Sequence, residues 1–134
     1  MLWLWVAPLT LFGMTLALPV WAARGQIRIL RAQACALLVQ GWLADWILRR
    51  HPAGPMQAIT LGHVVIARPG MLSPRLVVHE LEHVRQGERW GPMFPLLYLG
   101  SSAWQWLRGR HAYRDNRFEI AARAAEVKTM QDLV

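Results

Sequence analysis

The residues best suited to chemistry lie in one pentapeptide, His79-Glu80-Leu81-Glu82-His83, a complete H-E-x-x-H. On an α-helix, residues four apart share a face, so both imidazoles can reach one metal ion while the Glu beside the first His addresses a water on that ion. This is the arrangement a zinc hydrolase needs. Zinc with three protein ligands keeps a fourth position for water, lowers the pKa of that water toward ~7, and leaves a carboxylate to take the proton. A third ligand must come from elsewhere, and Glu88, His111, Asp115, Glu119 and Glu126 are the downstream candidates. Glu119 is favoured because it follows Asn116 by one turn on a helix that is otherwise small and apolar. Glu126, two turns further along the same face, is the next candidate, as a ligand or as support for one.

These side chains need elements to hold them. Ser73-Pro74 supplies a capping residue and a first-turn proline for a helix over 74–88, ended by Gly87 and Gly91-Pro92. Leu76, Val77, Val78, Leu81 and Val84 make that helix apolar around most of its circumference, so its His and Glu residues must find partners inside a core. The competing reading is a solvated amphipathic helix on which Glu82 pairs with Arg85 or Gln86. Ahead of it, residues 57–67 are rich in β-branched side chains and run into Arg68-Pro69-Gly70, which predicts a strand and turn. Behind it, 93–107 reads as a core or membrane-surface helix. Residues 115–130 read as a last helix capped by Asp115 or Asn116.

The rest of the chain points toward a membrane. Its 134 residues suffice for one small domain, 54% are hydrophobic, and only 17% are charged, which excludes a disordered tail. Fourteen Arg and one Lys against 8 acidic residues give +7, in the company of 8 Trp. The basic residues adjoin apolar runs more often than one another, so anionic lipid is the expected partner and nucleic acid is not. Residues 1–23 carry no charge and are long enough for a membrane helix, read as a retained anchor in preference to a cleaved signal because no basic n-region precedes it. Arg24, Arg28 and Arg31 then favour a cytoplasmic position for the remainder, at a bacterial inner membrane. Residues 30–48 read as an amphipathic or partly embedded helix within a 24–50 segment, and the Pro/Gly-rich stretch at 51–55 opens the 51–134 core. Cys35, the single cysteine, reads as a small buried hydrophobe.

Two stretches carry a resemblance. His79-Glu80-Leu81-Glu82-His83-Val84-Arg85-Gln86, followed by Tyr113-Arg114-Asp115-Asn116-Arg117-Phe118-Glu119, resembles the gluzincin-type metallopeptidases, in particular their small stand-alone cores, the minigluzincins, over about residues 57–127. The resemblance implies that His79, His83 and Glu119 bind zinc and that Glu80 is the general base. It also implies that the strand over Ile59–Ala67 borders an extended peptide substrate, with Leu61, His63 and Val65 along it. His63 and His51 also read as structural or solvated side chains. The sequence departs from the pattern at Arg123, where a carboxylate orienting a histidine is common; that support must come from Asp115, Asn116, Glu126 or a backbone carbonyl. Among the donors for an oxyanion, which are Tyr113, His111, Arg110, Arg114 and Arg117, Tyr113 is the expected catalytic partner.

The expected molecule is therefore α+β and mostly helical. It has an N-terminal membrane helix and a compact zincin-like core containing one short strand or hairpin and the H-E-x-x-H helix. Its expected activity is peptide-bond hydrolysis by zinc-activated water. The alternative is a membrane-bound, metal-stabilised binding or scaffold protein that does no proteolysis.

Overall fold

A computed structural model describes residues 2–132. The chain is α+β and mostly helical: α1 (Leu2–Ala22), β1 (Gln26–Arg31), β2 (Cys35–Gln40), α2 (Trp42–Arg49), β3 (Ala58–Leu61), β4 (Val64–Ala67), α3 (Pro74–Trp90), a 3-10 turn (Gly91–Met93), α4 (Phe94–Leu107) and α5 (Arg117–Asp132). The strands form one sheet in the order β1-β2-β4-β3. β1 and β2 are antiparallel, β2 and β4 parallel (Leu37↔Val64 to Gln40↔Ala67), and β3 and β4 antiparallel.

Two expectations change. Residues 30–48 are not one helix, because most of that stretch is β1, β2 and the turn between them, and only Trp42–Arg49 is helical. A short apolar run such as Cys35–Val39 fits a buried strand as well as a helix, and parallel pairing with β4 decides the matter. The single strand expected over 57–67 is a tight hairpin, with Gly62 and His63 between β3 and β4. Gly62 has φ +60°, and a Cβ there would lie 2.4 Å from Thr10 Oγ1, so both its conformation and its contact with α1 require glycine. Since β2 pairs with β4, residues 24–50 and 51–134 contribute to one sheet.

Central strand β4 is buried on both faces, which is why Val64-Val65-Ile66-Ala67 is continuously apolar rather than alternating. Val64 and Ile66, with Val39, pack beneath Ala17 and Val20 of α1 and Ala44 of α2. Val65 and Ala67, with Ala36 and Leu38, pack against Leu81 and Val84 of α3. The molecule is thus layered: α1 and α2, the sheet, then α3 with α5 against its far side. A third cluster joins Val6 and Leu9 of α1 to Phe94 and Phe118, tying α4 and the start of α5 to the body. Ser73 caps α3 by accepting from the Leu76 N–H, and the helix runs through Gly87 to Trp90.

Candidate metal centre

The apolar face of α3, Leu81 and Val84, is committed to the sheet, and this turns His79, His83 and Gln86 toward α5. Asn116 fixes the start of α5. Its Oδ1 accepts from the Phe118 N–H, and its Nδ2 donates to the Tyr98 carbonyl and to Ser102 Oγ. Glu119, in the first turn of that helix, is then held against the two histidines and is only 2% exposed.

The three expected ligands converge. His79 Nε2 lies 3.1 Å from Glu119 Oε2, His83 Nε2 lies 3.2 Å from Glu119 Oε1, and the two Nε2 atoms are 3.2 Å apart. Ligand atoms at the corners of a tetrahedron with bonds of ~2.0–2.1 Å are about 3.3–3.4 Å apart, so the donor set already has the size of a zinc site. Glu119 Oε2 is buried facing His79 Nε2. Two nitrogens and a carboxylate oxygen are also a donor chemistry that zinc accepts. Residues and geometry fit the ion.

Each ligand is braced from behind. His79 Nδ1 meets Glu126 Oε1 at 2.6 Å, and His83 Nδ1 meets Gln86 Oε1 at 2.9 Å. With Nε2 reserved for a metal, each Nδ1–H donates to these oxygens, which fixes tautomer and ring orientation. Gln86 in turn donates through Nε2 to the Phe118 carbonyl. The Tyr98 hydroxyl donates to Glu119 Oε1 at 2.6 Å. Burial favours neutral imidazoles, but the Glu119 hydrogen bonds and the Glu80 and Glu119 charges outweigh it, raising His79 to about 9 and His83 in the same direction. Burial acts to raise the Glu119 carboxyl, yet hydrogen bonds from the two histidines hold it well below the usual carboxylate range.

Glu80 projects from α3 toward the sheet edge, where Thr60 of β3 donates to its Oε2 at 2.6 Å. Burial, then the charge of Glu119, lifts the Tyr113 phenol well above its usual range, so this half-exposed side chain stays a protonated donor beside the site. Arg123 also flanks it, with Nη1 4.0 Å from Glu119 Oε2 and Nη2 donating to the Arg114 carbonyl. Between the start of α3 and the end of α5, a cleft of about 520 Å³ lined by Arg75, Glu126, Val127, Met130 and Gln131 leads to the carboxylate behind His79.

The substrate-side expectations need revision. Val65 is fully buried with its backbone paired on both sides, so it is a core residue and not part of an edge. His63 lies in the hairpin turn, 8% exposed, its Nδ1 3.1 Å from Thr10 Oγ1 and its Nε2 3.0 Å from Glu88 Oε1. It ties three segments together. Leu61 is on the edge strand β3, half-buried against the third core cluster. Glu82 is a partly buried partner of exposed Arg85, His111 and Asp115 cap the turn before α5, and Cys35 is half-buried at the start of β2.

Thr60, Tyr98 and Gln86 are the contributors that ligand spacing does not reveal. Gln86 follows His83 by three residues on the same helix face, which is a usable signal, and Tyr98 is a lone phenol in an apolar run. Thr60 has no sequence signal, because only the sheet brings it to Glu80. Comparison with protein-family models, with curated proteins and with solved structures gives no match to this chain.

Proposed function

We propose that the chain is a small membrane-associated zinc metallopeptidase of the gluzincin kind, hydrolysing peptide bonds. The observation that carries this reading is the convergence of His79 Nε2, His83 Nε2 and the Glu119 carboxylate within 3.1–3.2 Å, with Glu80 next to the first ligand on the same helix. A bound zinc would supply Lewis-acid activation of a water and of the scissile carbonyl. Glu80 would take the proton of the attacking water at its Oε1, because Oε2 already accepts from Thr60, and would deliver that proton to the leaving amine. Tyr113, kept protonated, would donate to the developing oxyanion. β3, an edge strand of the sheet, offers unpaired backbone groups to an extended substrate, and Thr60 places Glu80 at that edge.

One observation favours the alternative, a metal-stabilised scaffold: Glu80 is only 5% exposed and engaged by Thr60. Elemental analysis of purified wild type, His83→Ala and Glu119→Ala, together with peptide cleavage by wild type and Glu80→Gln, separates the readings. About one zinc per chain, lost in both ligand variants, with cleavage lost in Glu80→Gln while zinc is retained, supports the peptidase. Zinc without any Glu80-dependent cleavage supports the scaffold. A zinc-free wild type, folded and expressed with zinc supplied, overturns both.

A further inference from the structure

Among the described residues, α1 is the one helix long and apolar enough to cross a membrane, over Leu4–Ala22. Its surroundings are not those of an isolated span. Val6, Leu9, Gly13, Ala17 and Val20 form a buried stripe along its whole length, lying on the sheet and on Phe94 and Phe118. The approach is close enough that a Cβ on Gly13 would lie 2.6 Å from the Leu61 carbonyl. Thr10 also accepts from the His63 N–H, and the His63 ring continues to Glu88. The opposite face is apolar and open, with Leu4 81%, Leu11 62% and Leu18 58% exposed.

If α1 crossed the bilayer in this packing, it would carry an open sheet and the Thr10, His63, Glu88 chain to hydrocarbon depth. Unpaired edge groups of β1 or β3 cost several kcal/mol each there. If α1 were removed as a leader, Val39, Val64 and Ile66 would lose their cover and the hairpin its Thr10 partner. A third arrangement satisfies every group. The helix lies along the surface, one face in the protein core and the other in the acyl boundary.

The charge at its C-terminal end fits that seat. Arg24 follows the helix directly, whereas Arg28, with Gln26 and Gln40, lines a groove of about 420 Å³ on the α3 face of the sheet. No carboxylate pairs with Arg24 among the described residues. Exposed Trp21, Trp42 and Trp46 surround this end, the last stacked under Arg50, the composition of a headgroup-level belt. We propose that α1 is a retained in-plane membrane helix, and that Arg24 at its end holds the phosphate of an anionic lipid headgroup. The chain is then monotopic, and the α3 and α5 metal cluster, on the other side of the sheet, faces water.

The test uses the full chain in a Cys35→Ser background, expressed in bacterial cells and recovered as sealed inverted membrane vesicles. One variant carries a cysteine ahead of Met1, the other Gln26→Cys, and both are exposed to a membrane-impermeant maleimide. Labelling of both ends from the same side, on a chain whose intact mass includes α1, is expected. Labelling from opposite sides means a span, a mass lacking α1 means a leader, and recovery in the soluble fraction means a plain core helix; each overturns the proposal. For the headgroup contact, the Arg24→Gln variant should partition about fivefold more weakly onto phosphatidylcholine vesicles containing phosphatidylglycerol, and equally onto vesicles without it. Equal loss on both, or no loss, removes the headgroup assignment. None of these readouts depends on zinc or on proteolysis.

Discussion

The hairpin turn and the α3/α5 interface each bury histidine beside carboxylate, and only the second brings its groups together as a set of metal ligands would be. At His63 both ring nitrogens have protein partners, Thr10 on one side and Glu88 on the other. At His79 and His83 the Nδ1 atoms are engaged, by Glu126 and Gln86, while both Nε2 atoms and the Glu119 carboxylate converge. A satisfied histidine staples the fold. A converging pair leaves lone pairs that only a proton or a metal can fill, so convergence and not burial is the diagnostic feature.

The strongest way to break this contrast is to exchange the consequences of mutation. Glu119→Ala is expected to abolish zinc stoichiometry, whereas His63→Ala should keep it near one per chain while lowering unfolding stability by about 1–3 kcal/mol, from the stranded Glu88 and Thr10 groups. Atomic absorption on both variants, with denaturant titrations, reads the difference. If His63→Ala lost zinc as completely, the two regions would not be distinct.

Next in size is the base. Glu80→Gln preserves shape and the Thr60 contact, so peptide hydrolysis should fall ~10²–10⁴-fold with zinc affinity little changed. Steady-state rates alongside competitive chelator titration would separate the two. The bracing residues come third. Glu126→Gln and Gln86→Leu should each weaken zinc by ~10–100-fold without abolishing it, whereas Glu88→Gln, at His63, should leave zinc affinity alone.

Protons give the smallest and most graded effect. His79 titrates at about 9 and must lose its proton to bind metal, so zinc affinity should rise roughly tenfold per pH unit between pH 7 and 9 for that one proton. Stability of chelator-treated protein should move the other way. A pKa raised above the ordinary 6.5 contributes stability that is complete below 6.5 and fades as pH rises toward about 9. Thermal unfolding with and without chelator across that window should give opposite slopes; parallel slopes would mean His79 is not the coupled group.

Much of this site is legible in the residues, because helical spacing is a local rule. His79, Glu80 and His83 follow from one helix, and Glu119 and Glu126 from a second, seven residues apart and so on one face. What required the fold was everything non-local. Thr60 reaches Glu80 only through the β3 register, and Tyr98 reaches Glu119 only because Asn116 anchors α5 to α4. β1 and β2 were hidden for a different reason. Cys35–Val39 is apolar at every position, and such a run acquires strand character from the parallel partner that buries its second face. The same central placement removes Val65 from the substrate edge.

The meagre apolar grip of α5 has a consequence beyond chemistry. Described residues of this helix bury Phe118 and Ala122 as their only apolar side chains, while Glu119 and Glu126 meet the histidines of α3. On the zinc reading proposed above, seating of the C-terminal segment and loading of the ion would be one event. In a cell short of zinc, the newly made chain would present a frayed end to housekeeping proteases, so its abundance would follow metal supply through lifetime rather than through synthesis.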